Sequence, residues 1–96
     1  MLVLVTYDVS TEDTDGKRRL RNVAKRCCAY GQRVQNSVFE CYIDEAQYRM
    51  LKSVLTKEIN QQRDSLRFYK LGNQYEAKVE HVGTKAGFTP DSVLMV

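Results

Sequence analysis

The chain opens with the stretch MLVLVTYD, residues 1–8, and this stretch decides how the rest of the sequence is interpreted. Five of its first seven residues are aliphatic or Met, without alternation of apolar and polar positions. Such a pattern predicts a strand that needs cover on both of its faces. Asp8 closes the strand, so we expect its carboxylate to be fixed by the sheet while its head group reaches solvent.

A block of basic residues follows this strand. Seven Lys and Arg residues lie between Lys17 and Arg33, and no Asp or Glu stands among them, although the net charge of the whole chain is only +3. This distribution favours a polyanionic partner such as nucleic acid. A solvated helix face produces the same pattern, so both interpretations remain open at this point.

Length and composition predict one soluble domain that spans residues 1–96. The chain is 43% hydrophobic and 28% charged, and no apolar stretch is long enough for a membrane span. We expect no signal peptide and a cytoplasmic location. Cys27, Cys28 and Cys41 do not form a zinc-binding pattern with the single histidine, and we expect them to be reduced thiols.

The order of predicted elements indicates an α+β fold. Apolar periodicity and turn residues predict strand, helix, two strands, helix, strand and an extra strand, at residues 2–9, 14–29, 32–43, 44–59, 66–71 and 75–82. This is the ferredoxin-like βαββαβ sandwich with an additional C-terminal strand. Because its helices cover one sheet face, we expect a homodimer packed sheet to sheet, with residues 73–96 on the partner subunit.

Four segments carry a resemblance to a known family. They are VTYDV (5–9), the Arg-rich start of the first helix, GQRVQNSVFE (31–40) and LRFY (66–69). Through them the chain resembles Cas2, the small CRISPR-associated nuclease of spacer acquisition, and it looks closest to the subtype I-C versions. The motifs cover most of the first 72 residues, and the sequence after Gly72 is less typical of the family.

The resemblance implies a homodimer in which two copies of Asp8, one from each chain, hold a divalent metal such as magnesium. It implies an endonuclease that acts on DNA or RNA, and a partnership with Cas1, the CRISPR integrase. It also makes Tyr7 and Phe39 possible neighbours of the site, although packing is the ordinary role of both. Nucleic-acid contacts are expected from Arg18, Arg19, Arg21 and Arg33.

The resemblance leaves two functions open. Phosphodiester cleavage needs an activated water and stabilisation of phosphate charge, which magnesium on a carboxylate pair supplies. A non-catalytic, dimeric DNA-binding scaffold of the integrase complex would need the basic helix but not Asp8. Ser37 has no supporting His–acid pair, and His81 lies outside the resembling motifs, so neither is expected to be catalytic. The sequence does not decide between DNA and RNA, nor whether two Asp8 residues approach without a conformational change.

Overall fold

The fold is built from four strands and two helices, and the computed structural model describes residues 1–83. The elements are β1 (Leu2–Asp8), α1 (Gly16–Cys28), β2 (Gln32–Gln35), β3 (Val38–Tyr42), α2 (Glu45–Glu58) and β4 (Ser65–Gly72), followed by a 3-10 turn at Glu76–Lys78. None of the helices in this part of the chain is long and apolar enough to cross a membrane.

The four strands form one sheet in the order β2-β3-β1-β4, and all neighbouring strands are antiparallel. The apolar strand β1 is central, with Val5 paired to Phe39 of β3 on one side and to Phe68 of β4 on the other. This order and the βαββαβ sequence of elements confirm the predicted α+β, ferredoxin-like fold.

The two faces of the sheet have different surroundings. Odd-numbered residues of β1 face the helices and, together with side chains from β3, α1 and α2, form the buried core, which includes Val3, Val5, Tyr7, Phe39, Cys41, Val23, Cys27, Leu51 and Leu55. We call this side the helix face. Even-numbered residues of β1 lie on the opposite side, which we call the open face. Asp8 therefore lies on the open face, and its neighbour Tyr7 lies on the helix face.

Local contacts explain where both helices begin. Asp44 and Gln47 form a reciprocal capping box at the start of α2, in which Asp44 Oδ1 accepts from the Gln47 N–H at 2.7 Å. Asp15 occupies the N-cap position of α1, but its side chain accepts no hydrogen bond from the first turn and pairs with Arg18 instead. Gly16 opens α1 because a Cβ there would collide with the Ser10 carbonyl oxygen and with Thr11 Cα.

The predicted strand at residues 75–82 is wrong. Gly72, with φ +80°, turns the chain out of β4, and the segment then forms the 3-10 turn at Glu76–Lys78. Tyr75 packs edge to face on Tyr42 at 5.3 Å, and Lys78 Nζ donates to the Leu71 carbonyl at 2.9 Å. The segment lies across the open face, over β1 and β3. Both of these strands are already hydrogen-bonded to a strand on each side, so they offer the segment no free edge for pairing.

The remaining expectation for the C-terminus covers residues 73–96, of which 84–96 lie outside the described residues. The packing of 73–96 on a partner subunit and the sheet-to-sheet homodimer stay predictions.

Candidate functional site

Asp8 is the last residue of the central strand, and it pairs in register with Ser65 of β4. Its side chain is exposed on the open face. Within residues 1–83 it takes part in no hydrogen bond or ion pair. A rigidly mounted carboxylate without a protein partner is available to a metal ion or to a substrate group.

The donor chemistry of Asp8 suits a hard cation, but one chain supplies too few ligands. Magnesium prefers carboxylate oxygens and retains several waters. Residues 1–83 contain no group of three His, Cys, Asp or Glu side chains placed to hold a metal. A magnesium site at Asp8 therefore fits only if a second Asp8 or a nucleic-acid phosphate completes it.

The chain directly after Asp8 is held by a buried carboxylate. The Asp64 side chain is fully shielded from solvent, and it accepts from the Ser10 N–H at 3.0 Å and from the Asn60 N–H at 2.8 Å. Arg19 Nε donates to Asp64 at 2.8 Å, and Arg19 Nη2 donates to the Ser10 carbonyl at 3.3 Å. Both backbone groups of Ser10 are thus satisfied, which fixes the turn that follows Asp8.

Arg19 also donates to Asp13, so its guanidinium lies between two carboxylates. Burial alone would raise the pKa of Asp64, but Arg19 and the N–H groups of Asn60 and Ser10 outweigh it and lower that pKa. Hydrogen bonding and charge from Arg19 lower the pKa of Asp13, and both carboxylates raise the pKa of Arg19. We call Asp13, Arg19 and Asp64 the turn-locking triad.

The triad gives Arg19 a structural role, and nucleic-acid binding by this residue stays a prediction that its contacts do not favour. Arg18 is exposed and pairs with Asp15 at 3.2 Å, a contact that a phosphate can replace at little cost. Arg21 is exposed and has no carboxylate partner within residues 1–83. Because α1 begins against Ser10, its basic first turns lie at the same end of the sheet as Asp8.

The other predicted site residues form a separate cluster on the helix face. Phe39 is fully buried, and its ring stacks on Tyr7 with 6.2 Å between centroids. Arg33 lies over the Phe39 ring at 5.2 Å from its centroid. Burial raises the pKa of Tyr7, and a hydrogen bond and the charge of Arg33 oppose that rise. The structure thus places Tyr7, Phe39 and Arg33 behind the sheet, on the opposite face from Asp8.

Two residues near Asp8 have no assigned role in the sequence interpretation. Asp64 ends a polar loop, and no local pattern marks it as a buried carboxylate. Arg67 lies on β4 opposite Thr6, on the same face as Asp8. In the sequence, Leu66 and Phe68 alternate with Arg67 and Tyr69, and this alternation is the signal from which the face of Arg67 could have been predicted.

Comparisons with known proteins agree with the fold. The sequence model of the family described as "CRISPR associated protein Cas2" matches residues 1–79. The chain is 60% identical over 85 residues to the CRISPR-associated endonuclease Cas2 of Halalkalibacterium halodurans, with 88% of each protein covered. It is 54% identical over 96 residues to the CRISPR-associated endoribonuclease Cas2 of Nitratidesulfovibrio vulgaris, covering 100% of this chain and 94% of the relative.

A solved structure gives the same result. The crystal structure of Streptococcus pyogenes Cas2 at pH 6.5 matches with a TM-score of 0.75 and 54% identity, covering 86% of this chain and 100% of that one.

Proposed function

The chain belongs to the CRISPR-associated Cas2 family, and from this premise we propose that it is a metal-dependent endonuclease of CRISPR defence that cleaves phosphodiester bonds. The observation that carries the proposal is Asp8, an exposed carboxylate without a protein partner in residues 1–83, mounted at the end of the central strand. The turn-locking triad supports it, since the chain beyond Asp8 is held in one conformation before substrate arrives.

We propose magnesium as the cofactor and the two Asp8 carboxylates of a homodimer as its protein ligands. The metal supplies an activated water and stabilises charge on the phosphate when it is bound. The chain contributes carboxylate oxygens at a fixed position and basic residues that attract the phosphate backbone. Arg18 and Arg21 are the proposed nucleic-acid ligands on α1, because both are exposed near the same end of the sheet.

The finer assignments are proposals that rest on relatives and motifs. The relatives named above are an endonuclease and an endoribonuclease, so double-stranded DNA and RNA are both proposed substrates. We also propose that the chain belongs with the subtype I-C versions, which its motifs at 31–40 and 66–69 resemble. We further propose a cytoplasmic location and an association with the Cas1 integrase during spacer acquisition.

The decisive experiment replaces Asp8 with Ala and measures cleavage of double-stranded DNA and of RNA over a magnesium series. We expect cleavage to fall by at least about a hundredfold, because the only proposed protein ligand of the metal is lost. Glu12→Ala is the matched control, since Glu12 is an exposed carboxylate in the following turn and makes no ion pair within residues 1–83. An Asp8→Ala protein that folds and cleaves like the Glu12→Ala protein contradicts the nuclease assignment.

A second function, a non-catalytic DNA-binding scaffold of the integrase complex, is favoured by the charge distribution on α1. Lys17, Arg21 and Lys25 recur every four residues on its surface, and none has a carboxylate partner within residues 1–83. This function predicts that Asp8→Ala spares spacer acquisition, whereas Arg21→Gln combined with Lys25→Gln reduces it. Loss of acquisition in the Asp8→Ala strain would contradict a purely structural role.

A further inference from the structure

Arg63 is the only Lys or Arg in the loop that joins α2 to β4. Two residues further on, Ser65 begins β4 and pairs in register with Asp8. The residue between them, Asp64, accepts a hydrogen bond from the Ser10 N–H in the turn after Asp8. Arg63 therefore lies at the same end of the sheet as Asp8.

The backbone that carries Arg63 is held in place by its own loop. The Asp64 N–H donates to the Asn60 carbonyl at 2.8 Å, and Asp64 Oδ2 accepts from the Asn60 N–H at 2.8 Å. The Arg63 N–H donates to the same carbonyl at 3.0 Å. Because Asp64 also belongs to the turn-locking triad, this loop and the turn after Asp8 are held together.

The guanidinium of Arg63 is half exposed, and its donors are unused. Its one ion pair within residues 1–83 joins Nε to Asp13 Oδ2 at 3.6 Å, and no group in this part of the chain accepts a hydrogen bond from it. Asp13 accepts hydrogen bonds from Arg19 at 3.1 and 3.2 Å and from the Asp15 N–H at 3.1 Å. Arg63 can therefore leave Asp13 without unpairing that carboxylate, and its planar fork offers a phosphate five N–H donors.

The position of Arg63 is compatible with the dimer proposed for the Asp8 site. A second copy covers the open face in that dimer, whereas Arg63 contacts the connection between β1 and α1. The loop that carries it borders the groove between α2 and β4 on the helix face. With the open face covered, a phosphate backbone reaches Asp8 past the end of the sheet, where this loop and the start of α1 lie.

We propose that Arg63 binds a phosphate of the nucleic-acid backbone beside the Asp8 site, at the end of the sheet. The proposal deepens the nuclease function and rests on it for the presence of substrate at Asp8. It adds a phosphate contact on the β4 side of the site to those of α1. Exchange of the Asp13 ion pair for a phosphate costs little, because Arg19 keeps Asp13 paired.

The test measures binding rather than cleavage. Asp8→Ala is the background, so that the nucleic acid stays intact, and a fluorescent DNA duplex and a fluorescent RNA strand are titrated at several salt concentrations. Arg63→Gln is expected to weaken binding about fivefold and to reduce the salt slope by about one, because one phosphate contact is lost. Either nucleic acid that binds should show this effect, since both share the phosphate backbone. Arg63→Lys is expected to recover the slope but only part of the affinity.

Arg49→Gln is the matched control. Arg49 is exposed and has no ion pair within residues 1–83, and it lies in the first half of α2. That half lies toward the other end of the sheet from Asp8, because α2 follows the end of β3 that pairs with Leu2. Equal affinity and slope for Arg63→Gln and Arg49→Gln would overturn the proposal, and so would failure of both nucleic acids to bind.

Urea unfolding separates phosphate binding from a structural role of Arg63. Arg63→Gln is expected to unfold at the same urea concentration as Arg49→Gln, because an exposed ion pair contributes little to stability. Weaker binding together with a lower unfolding midpoint would assign Arg63 to holding Asp13 and would also overturn the proposal. Failure of the nuclease function appears separately, as cleavage by the Asp8→Ala protein in the presence of magnesium.

Discussion

Two aspartates near the end of β1 have opposite surroundings and, in consequence, different roles. Asp8 is exposed and has no partner within residues 1–83, whereas the Asp64 side chain is buried and accepts hydrogen bonds from Arg19, Ser10 and Asn60. A carboxylate without a protein partner can bind a metal without first breaking a contact within the protein. A buried carboxylate is stabilising only while its partners are in place. We therefore propose that Asp8 serves chemistry, whereas the contacts of Asp64 give it a structural role.

Asp64→Asn is expected to destabilise the fold by about 2 kcal/mol, because it removes the charge that Arg19 and two backbone N–H groups stabilise. Urea unfolding near neutral pH measures this change, and Asp15→Asn at the surface is the control. An Asp64→Asn protein as stable as Asp15→Asn would show that the buried pair contributes nothing.

The same residue predicts how stability depends on pH. The pKa of Asp64 is lower in the folded protein than in the unfolded chain, so its contribution is complete above the unfolded value near pH 4. That contribution is lost as the pH falls through the lower, folded pKa. Wild-type stability should therefore decline below about pH 4, and the decline should be shallower in Asp64→Asn. Identical acid profiles for the two proteins would contradict the assignment.

The position of a single side chain was predictable from sequence where alternation along a strand alone determines which face it lies on. The opposite orientations of Tyr7 and Asp8, and the burial of Phe39, follow from alternation along a strand. The burial of Asp64 and its pairing with Arg19 do not, because they require a loop and a helix more than forty residues apart in sequence to meet in space. A basic residue in a charge block looks the same in sequence whether it is free or paired.

At the scale of elements, the connection from β1 to α1 is held by close packing at Gly16 and by hydrogen bonds to Ser10. Gly16 allows α1 to begin against Ser10. Arg19, three residues further along α1, then reaches back to the Ser10 carbonyl. The start of the helix and the turn after Asp8 are thereby one packed unit.

Gly16→Ala is expected to destabilise the protein by about 1–3 kcal/mol and to reduce cleavage, since the new Cβ would collide with backbone atoms of Ser10 and Thr11. Helix propensity opposes this loss by about 1 kcal/mol in favour of Ala. Urea unfolding and a cleavage assay measure the two effects, with Lys17→Ala as a control in the same turn. A Gly16→Ala protein more stable than wild type would show that propensity outweighs the close contact.

Strands were predictable from sequence where an alternating segment also has a neighbouring strand to pair with. Residues 66–71 alternate and find β1 as a neighbour, so β4 forms as predicted. Residues 75–82 alternate equally well but lie across the open face and form a 3-10 turn. Alternation indicates that a segment has one apolar side. Whether the segment becomes a strand depends on a hydrogen-bonding partner, which only the whole fold provides.

At the scale of the whole molecule, residues 1–83 cover their own open face only in part. The segment at 75–82 packs over Leu2 and Tyr42, and beyond it Leu4, Tyr69 and Leu71 line a shallow groove of the open face. Tyr69 and Val79 remain exposed apolar side chains at this groove. A second copy of the chain is the partner that we propose for this face, because pairing of two copies also doubles the carboxylate at Asp8.

Subunit mixing tests whether the two Asp8 carboxylates act as a pair. Wild-type and Asp8→Ala chains are exchanged at equal amounts and constant total concentration, and cleavage is compared with pure wild type. If both carboxylates of a dimer are required, random pairing leaves about one quarter of the activity, whereas independent sites leave about one half. Glu12→Ala chains mixed in the same way should leave activity unchanged. A value of one half with complete exchange would show that one Asp8 is sufficient, and the shared metal site would then have to be abandoned.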